Sequence, residues 1–415
     1  MSNHTLYLCY FGLREPLVQT QVLSYIREIK KIEGLRASLL TFEPDFKEKW
    51  SEEEIQNERQ KLAAEGIDWY ALPYHKSPSV PATVYDTFCG ALFARKLIKE
   101  KGVNILHARV HIPALMGAIA KKLTTKNVKL LFDIRGFFPE EYTDAGRWKK
   151  DGKLYHAVKK VEKWLLKVSD GFVILTEKGK QIMFAENETG AKNSIKPIEV
   201  IPCCVDFKSF DGVDESVRRR MREKLNLTGR YVIIYVGSFG GWYMTDQMLE
   251  FFASARKHNP KAFALILTQR EQDKIAEKLK TIGFADGDFL VTKSSPSEIP
   301  EYLSAADIAL SFIEACYSKQ ASSPTKIAEY LAAGLPVILN PGVGDLDELV
   351  TEDKVAVSVK NFTEENYLQA LKEADQLRAE NDFAEKCKRS AKNRFDLYEV
   401  GGKKYRRLYE SLLDN

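Results

Sequence analysis

Short apolar runs recur along this chain, and helical patterns fill the intervals between them. In the first half the runs cover residues 6–11, 37–42, 67–72, 103–108, 129–134, 171–176 and 198–203. In the second half they cover 231–237, 263–268, 288–292, 307–312, 336–340 and 355–359. A strand that is apolar on both faces must be covered on both faces, which helices crossing between parallel strands achieve. The pattern predicts an α/β chain of two Rossmann-like, doubly wound parallel-sheet domains, one after the other. The stretch VIPCCVDFKSF, 200–210, marks the boundary and divides the chain into domains 1–204 and 205–390. Residues 391–415 form a terminal segment with a helical apolar pattern after Gly401-Gly402. That helix needs a surface, on its own domain or back on the first. In such sheets ligands bind beyond the carboxyl ends of the strands. With two sheets facing a central cleft, the chemistry is expected in loops that follow strands.

A length of 415 residues fits two or three domains. Hydrophobic content of 44% and charged content of 29% are those of a soluble globular protein. The net charge is only +4, which argues against nucleic acid as a partner. It is unevenly spread: residues 1–205 hold 32 Lys+Arg against 25 Asp+Glu, and the rest hold 30 against 33. A mildly basic first half suits an anionic ligand or membrane surface as well as ordinary surface variation. No run approaches the ~18–20 apolar residues that cross a bilayer. The start, MSNHTLYLCYF, has no basic stretch ahead of a long apolar one. Six scattered cysteines without a C-x-x-C read as reduced thiols. A cytoplasmic protein is expected, with any membrane contact peripheral, at the inner face of the cell membrane. The candidate for that contact is the basic helical stretch 149–168. Leu154, Val158, Val161, Leu165 and Val168 form a seam there, with Lys159, Lys160, Lys163 and Lys167 off it. The seam serves either an anionic lipid surface or packing on the domain.

The most informative stretch is SSPTKIAEYLAAGLPVILN, 322–340. Pro324 near a helix start gives up no needed N–H, and Ser322 or Ser323 offers an N-cap. The free N–H groups of a helix start attract anions. Lys326 falls in the first turn, where a cation opposes the dipole unless an anion is bound. Glu329 follows three residues later on the same side, and a carboxylate there can accept hydrogen bonds from a ribose diol. Ser323, Thr325, Lys326 and Glu329 can therefore hold a diphosphate and a ribose together. Spacing alone fits equally well a capped surface helix with a Lys–Glu pair.

The pattern P-x-K-x-x-E-Y-L-A-A-G-x-P-V, Pro324 to Val337, resembles the donor-binding signature of glycosyltransferase family 4, whose fold is GT-B. The segment G-x-G-D-x-x-E-L-V, Gly342 to Val350, is similar to the stretch that succeeds that signature in the family. YVGSF, 235–239, stands where the family's second domain meets the donor diphosphate, which marks Gly237 and Ser238 as donor contacts. LYLCYFGL, ILHAR at 105–109, DGFVILTEKGK at 170–180 and VIPCCVD at 200–206 fit in the same order, so the likeness spans nearly the whole chain. Two departures stand out. Family members often carry two glutamates with seven residues between them; Glu329 matches the second, and Ala321 stands at the first. The Arg and Lys that often follow the second domain's first strand are absent from GSFGGWYMTD. Arg270 and Lys293, each just after a strand, are the replacements the sequence offers for the diphosphate, or are solvated loop cations. Gly12 fits a glycine loop that lets backbone approach the donor's phosphate side, with Arg14 beside it.

In the first domain Arg109 and Arg135 fall just past strand ends, with Asp133 between them and Glu140 and Glu141 following. Arginine is rarely buried unpaired. Two readings stay open: a structural Arg–Asp ion pair, and a catalytic or acceptor-binding set of Arg109, Arg135 and Glu140. His107 reads as a core histidine, and His111 as an exposed loop residue.

The resemblance implies a retaining glycosyltransferase. It moves a sugar from a nucleotide-diphosphate sugar to a glycan or lipid-linked acceptor, in surface polysaccharide or glycoconjugate synthesis. It implies no metal and no cofactor, and the sequence shows no His/Cys cluster at metal spacing. Neither half has a G-x-G-x-x-G after its first strand, which argues against an NAD enzyme. A sugar-nucleotide epimerase on the same scaffold stays open, as does a non-catalytic partner subunit, which the two departures keep in play.

Overall fold

The computed structural model describes residues 3–185 and 196–414. The chain divides into two compact units: Met1–Ile201 with Gly401–Asn415, and Pro202–Val400.

The first unit is built on seven parallel strands: β1 (Asn3–Leu8), β2 (Leu35–Pro44), β3 (Ile67–Tyr74), β4 (Ile105–Arg109), β5 (Lys129–Asp133), β6 (Gly171–Ile174) and β7 (Ile198–Val200). Their order is β3-β2-β1-β4-β5-β6-β7, so the winding reverses between β1 and β4. The terminal helix Lys403–Asp414 belongs to this unit and buries Tyr405, Leu408, Tyr409 and Leu412. Arg406 reaches Glu28 at 2.7 Å, and Lys404 donates to the carbonyl of Val200 at 2.8 Å. The segment that joins the first unit starts at Gly401 rather than at 391. Residues before it stay with the second unit: Ala391 and Phe395 lie in that unit's core, and Phe395 and Leu397 bond the backbone of Val205.

The second unit has six parallel strands: β8 (Tyr231–Val236), β9 (Ala262–Leu267), β10 (Phe289–Thr292), β11 (Ile308–Ser311), β12 (Val337–Leu339) and β13 (Ala356–Ser358). Their order is β10-β9-β8-β11-β12-β13, and the reversal falls between β8 and β11. The unbroken apolar runs have a direct cause. Val232 and Ile234 of β8 enter the core on one face of the sheet, and Ile233 and Tyr235 enter the core on the other.

The helix Lys153–Val168 departs from its expected seam at two positions, Leu154 and Lys159. Its buried residues are Glu162 and Leu165, and Leu154 is left exposed. Lys159 turns inward to pair with Glu140 at 3.0 Å and with Glu162. From Val158 onward the seam does pack: Val158, Val161 and Val168 are half-buried and Leu165 is buried, with the Lys159–Glu162 pair beside them. Among the described residues no helix is long and apolar enough to cross a membrane. All six cysteines are free.

Candidate active site

The residues that come together sit where the second sheet reverses its winding, beyond the ends of β8 and β11. The chain leaves β8 at Gly237, whose φ of 140° is a region side chains rarely adopt. Its N–H donates to Leu267 of β9 at 2.9 Å. A Cβ on Gly237 would lie 2.7 Å from Nζ of Lys326, so the glycine leaves the space that the lysine head fills.

The helix Thr325–Ala332 carries that lysine. Its placement over the end of β8 is fixed by Tyr330. The Tyr330 hydroxyl accepts from the N–H of Val236 at 2.8 Å and donates to the carbonyl of Leu310 at 3.4 Å. The helix start differs from the expected cap. Pro324 occupies the cap position and no side chain caps the helix. The Ser323 hydroxyl instead accepts from the N–H of Cys203 at 3.1 Å. The first-turn N–H groups thus have no side-chain oxygen of their own.

Lys326 is not the surface residue that a Lys–Glu pair would require. It is 7% exposed. Its Nζ donates to the Tyr235 hydroxyl at 3.1 Å and lies 4.2 and 4.3 Å from the ring centroids of Tyr235 and Tyr243. It forms no ion pair with a carboxylate among the described residues. Aromatic faces attract a cation but do not neutralise it. Burial therefore pulls the Lys326 ammonium down to about 7, although Glu329 works the other way. Burial pushes the Glu329 carboxyl up to about 7, against the pull of Lys326. The side chains of Thr325 and Glu329 make no hydrogen bond with the described residues.

The loop GSFGGWYMTD, which lacks the expected cations, supplies rings instead. Gly240 and Gly241 both have left-handed φ, 76° and 62°, and turn the chain so that Tyr243 bridges to Ile313 beyond β11. Lys319, also buried, lies 3.8 Å from the centroid of Trp242. Two lysines from beyond β11 thus rest on aromatic side chains of β8 and the loop after it. Nothing in the sequence pattern pointed to Tyr235, Tyr243 or Tyr330, although Tyr235 lies inside the 235–239 motif and Tyr330 inside the 324–337 motif.

The other donor candidates are less gathered. Ser238 is exposed, and its carbonyl accepts from the Tyr235 hydroxyl. Arg270 follows β9, the neighbour of β8, and is exposed without a side-chain partner among the described residues. Lys293 follows β10, one strand further out, and is likewise exposed. Gly12 in the first unit is buried against a protein group: a Cβ there would lie 2.8 Å from Glu43 Oε2. The same carboxylate holds the N–H of Leu13 at 2.8 Å, so this glycine serves an internal contact rather than an open anion site. Arg14 stacks on Trp50, 3.8 Å from its centroid, and binds Glu54 at 2.7 Å.

The three candidate catalytic residues of the first unit are tied into internal networks. Asp133 is fully buried. Arg135 Nε stands 2.8 Å from it and Arg109 Nη1 3.6 Å from it. Tyr405 of the terminal helix donates to Asp133 at 3.1 Å and receives a bond from Arg135 at 2.6 Å. His107 lies 3.5 Å from Asp133 and 2.8 Å from the Tyr409 hydroxyl. Burial alone would raise the Asp133 carboxyl; Arg135, His107 and Arg109 overcome it and hold the group well below the usual carboxylate range. For Arg135 this geometry favours the structural ion-pair reading; Arg109 is held more loosely, 3.6 Å from Asp133, with no hydrogen bond from its Nε or Nη1 among the described residues. Glu140 accepts from Tyr155 at 3.0 Å and pairs with Lys159 through Oε1, while its Oε2 makes no hydrogen bond among the described residues. His111 is buried, not exposed, and lies 3.0 Å from Glu162. Val110 before it is held at φ 65°, a strained conformation for a β-branched residue.

Residues 217–394, nearly all of the second unit, match the family model of Glycosyl transferases group 1. A comparison with curated proteins finds no match. Among solved structures, a glycosyltransferase from Rickettsia africae superposes with a TM-score of 0.70 at 17% identity, covering 100% of both chains. A sucrose-phosphate synthase from Thermosynechococcus elongatus gives 0.71 at 15% identity, over 99% of this chain and 100% of that one. HepE of Anabaena, in complex with UDP-glucose, gives 0.67 at 14% identity, again over 99% and 100%. At such identities the likeness shows the fold alone, and the fold is GT-B.

Proposed function

We propose that this chain, which has the GT-B fold and whose second unit matches glycosyl transferases group 1, is a nucleotide-sugar-dependent, retaining glycosyltransferase. Its acceptor is a glycan or a lipid-linked molecule, and its setting is surface polysaccharide or glycoconjugate synthesis in the cytoplasm. The observation that carries the reading is Lys326: a buried cation without an ion-paired carboxylate among the described residues, at an uncapped helix start, beside a glycine that leaves its head room. A diphosphate is the partner such a group lacks. The complex of HepE with UDP-glucose makes a uridine nucleotide the first donor to try.

Transfer places growing negative charge on the leaving diphosphate, and donors already in position stabilise it best. Lys326 meets that charge in a dry site, where the interaction is stronger than in water. The first-turn N–H groups from Thr325 onward add dipolar support. Glu329, three residues on, accepts hydrogen bonds from the ribose. Arg270, at the neighbouring strand end, contributes a screened, exposed charge, and Lys293 less. Lys326 thus takes the place of the cations that the β8 loop lacks. With the charge met by protein groups, a metal ion is not called for, and a chelator should leave turnover unchanged.

The test is calorimetric binding of UDP, GDP, ADP and CMP in the presence of a chelator, followed by product analysis with the tightest donor. Sugar appearing on an acceptor with its anomeric configuration kept supports the reading. Conversion of the donor alone would identify an epimerase. Tight binding without turnover on any acceptor would identify a partner subunit.

A further inference from the structure

The loop that leaves β3 in the first unit carries a histidine held by a buried carboxylate. Asp86, in the helix Ser79–Lys101, is 1% exposed. It accepts from the Tyr10 hydroxyl at 2.7 Å, from the backbone N–H of His75 at 3.0 Å and from His75 Nδ1 at 2.5 Å. A carboxylate has no hydrogen to give, so in the neutral imidazole Nδ1 carries the proton and Nε2 keeps its lone pair. His75 is exposed, and its Nε2 has no partner among the described residues. Tyr10 follows β1 and His75 follows β3, so residues beyond the carboxyl ends of two strands meet on one aspartate. An ordinary surface His–Asp pair leaves both groups in water. Here the acid is buried, and two of its three bonds fix His75.

Aromatic rings flank the fixed imidazole. Tyr85 meets His75 edge to face, with centroids 5.2 Å apart and ring planes at 84°. Tyr85 is 58% exposed, and Phe88, one turn further along the helix, is 54% exposed. Tyr10 packs edge-on against Tyr74 at 5.3 Å and against Phe42 at 4.9 Å, which holds its hydroxyl toward Asp86. An oriented hydrogen-bond acceptor thus stands beside open ring surface.

We propose that this corner of the first unit binds a neutral saccharide: a sugar hydroxyl donates to Nε2 of His75, and an apolar face of the sugar lies on Tyr85 and Phe88. The free nitrogen selects the ligand class. It accepts a hydrogen bond, and a phosphate or ionised carboxylate has none to donate, whereas a pyranose carries several hydroxyls. The C–H faces of the same pyranose cover exposed rings. A purely apolar occupant would strip water from Nε2 and leave it unpaired. The inference rests on the proposed function in taking this saccharide to be the acceptor glycan, and it specifies that the sugar unit bound here is uncharged. Asp86 is a positioning residue: it reaches the ligand only through His75.

The test is saturation-transfer NMR on the full chain, with the methyl glycosides of glucose, galactose, mannose and N-acetylglucosamine as probes and UDP titrated separately. At least one glycoside should take up saturation from the wild type. His75→Ala and Tyr85→Ala, both at exposed positions, should each weaken its binding at least roughly fivefold. His75→Gln, whose amide oxygen is also an acceptor, should recover part of the loss. UDP affinity should be the same in the wild type and all three variants, since none of these side chains belongs to the nucleotide site. Saturation of no probe, or equal saturation by the wild type and both alanine variants, would overturn the inference. A wild type that binds a glycoside through His75 and no nucleotide would uphold this site while the nucleotide-sugar reading fails; one that binds UDP and no glycoside would do the reverse.

Discussion

Each unit buries charge, and the two do so in opposite ways. In the first, Asp133 sits among Arg109, Arg135, His107 and the hydroxyls of Tyr7 and Tyr405, so a buried anion has more partners than it needs. In the second, Lys326 has one hydroxyl, two aromatic faces and no ion-paired carboxylate among the described residues. Removing the one anion of a buried cluster strands the cations around it, so such a cluster holds structure in place. A lone buried cation costs stability, so its persistence points to a ligand that completes it. The two sites differ in that the first sets an anion among its cations and the second does not.

The largest expected effect breaks the closed network. Asp133→Asn should cost about 3–5 kcal/mol in chemical denaturation, since two arginines lose their buried anion. The terminal helix should become open to proteolysis, because Tyr405 loses its acceptor. The pH dependence has a definite sign. The native Asp133 carboxyl lies below its unfolded value of ~3.9, so its contribution is complete above that value and is lost as pH falls through the native one. The Asn variant should therefore show less acid sensitivity at low pH than the wild type.

Next comes the open site. Lys326→Met should weaken UDP binding roughly tenfold to a hundredfold, the value of a charge-assisted hydrogen bond of ~1.5–3 kcal/mol. It should leave the melting temperature unchanged or higher, because an unpaired charge is replaced by an apolar chain of similar length. A loss of both binding and stability would make Lys326 structural, and the contrast between the units would fail.

The third effect is on pH. A diphosphate binds the protonated lysine, and burial has brought that lysine down to about 7. UDP affinity should fall as pH rises above neutrality, with proton uptake on binding, and Lys326→Met should flatten the profile. A smaller effect is expected from Glu329→Gln: roughly tenfold weaker UDP binding, at ~1–1.5 kcal/mol for the ribose bonds, with inorganic pyrophosphate bound as before. Smallest is Arg270→Ala, where an exposed charge should change affinity by no more than ~1 kcal/mol.

The sequence made the fold legible because both sheets bury both faces. Val232 to Tyr235 read as a continuous apolar run for that reason, and every predicted run became a strand. The Pro324–Val337 pattern likewise pointed to the helix over β8. What escaped were long-range partners. The distance from Tyr405 to Asp133 in sequence is large, so nothing local could say whether Arg135 faced a ligand or a tyrosine of the terminal helix. Lys159 reads as a solvated lysine until Glu140 and Glu162 are placed beside it. The rings around Lys326 come from β8 and the loop after it, and sequence spacing carries no signal for an aromatic seat under a cation.

The measurement that bears most directly on the role of Lys326 is calorimetric titration of UDP into the wild type and Lys326→Met, without metal, with melting curves recorded on both. Micromolar binding by the wild type, its loss in the variant and an undiminished melting temperature are predicted. Equal binding by the two proteins would contradict the claim that Lys326 is the buried cation awaiting the donor's diphosphate.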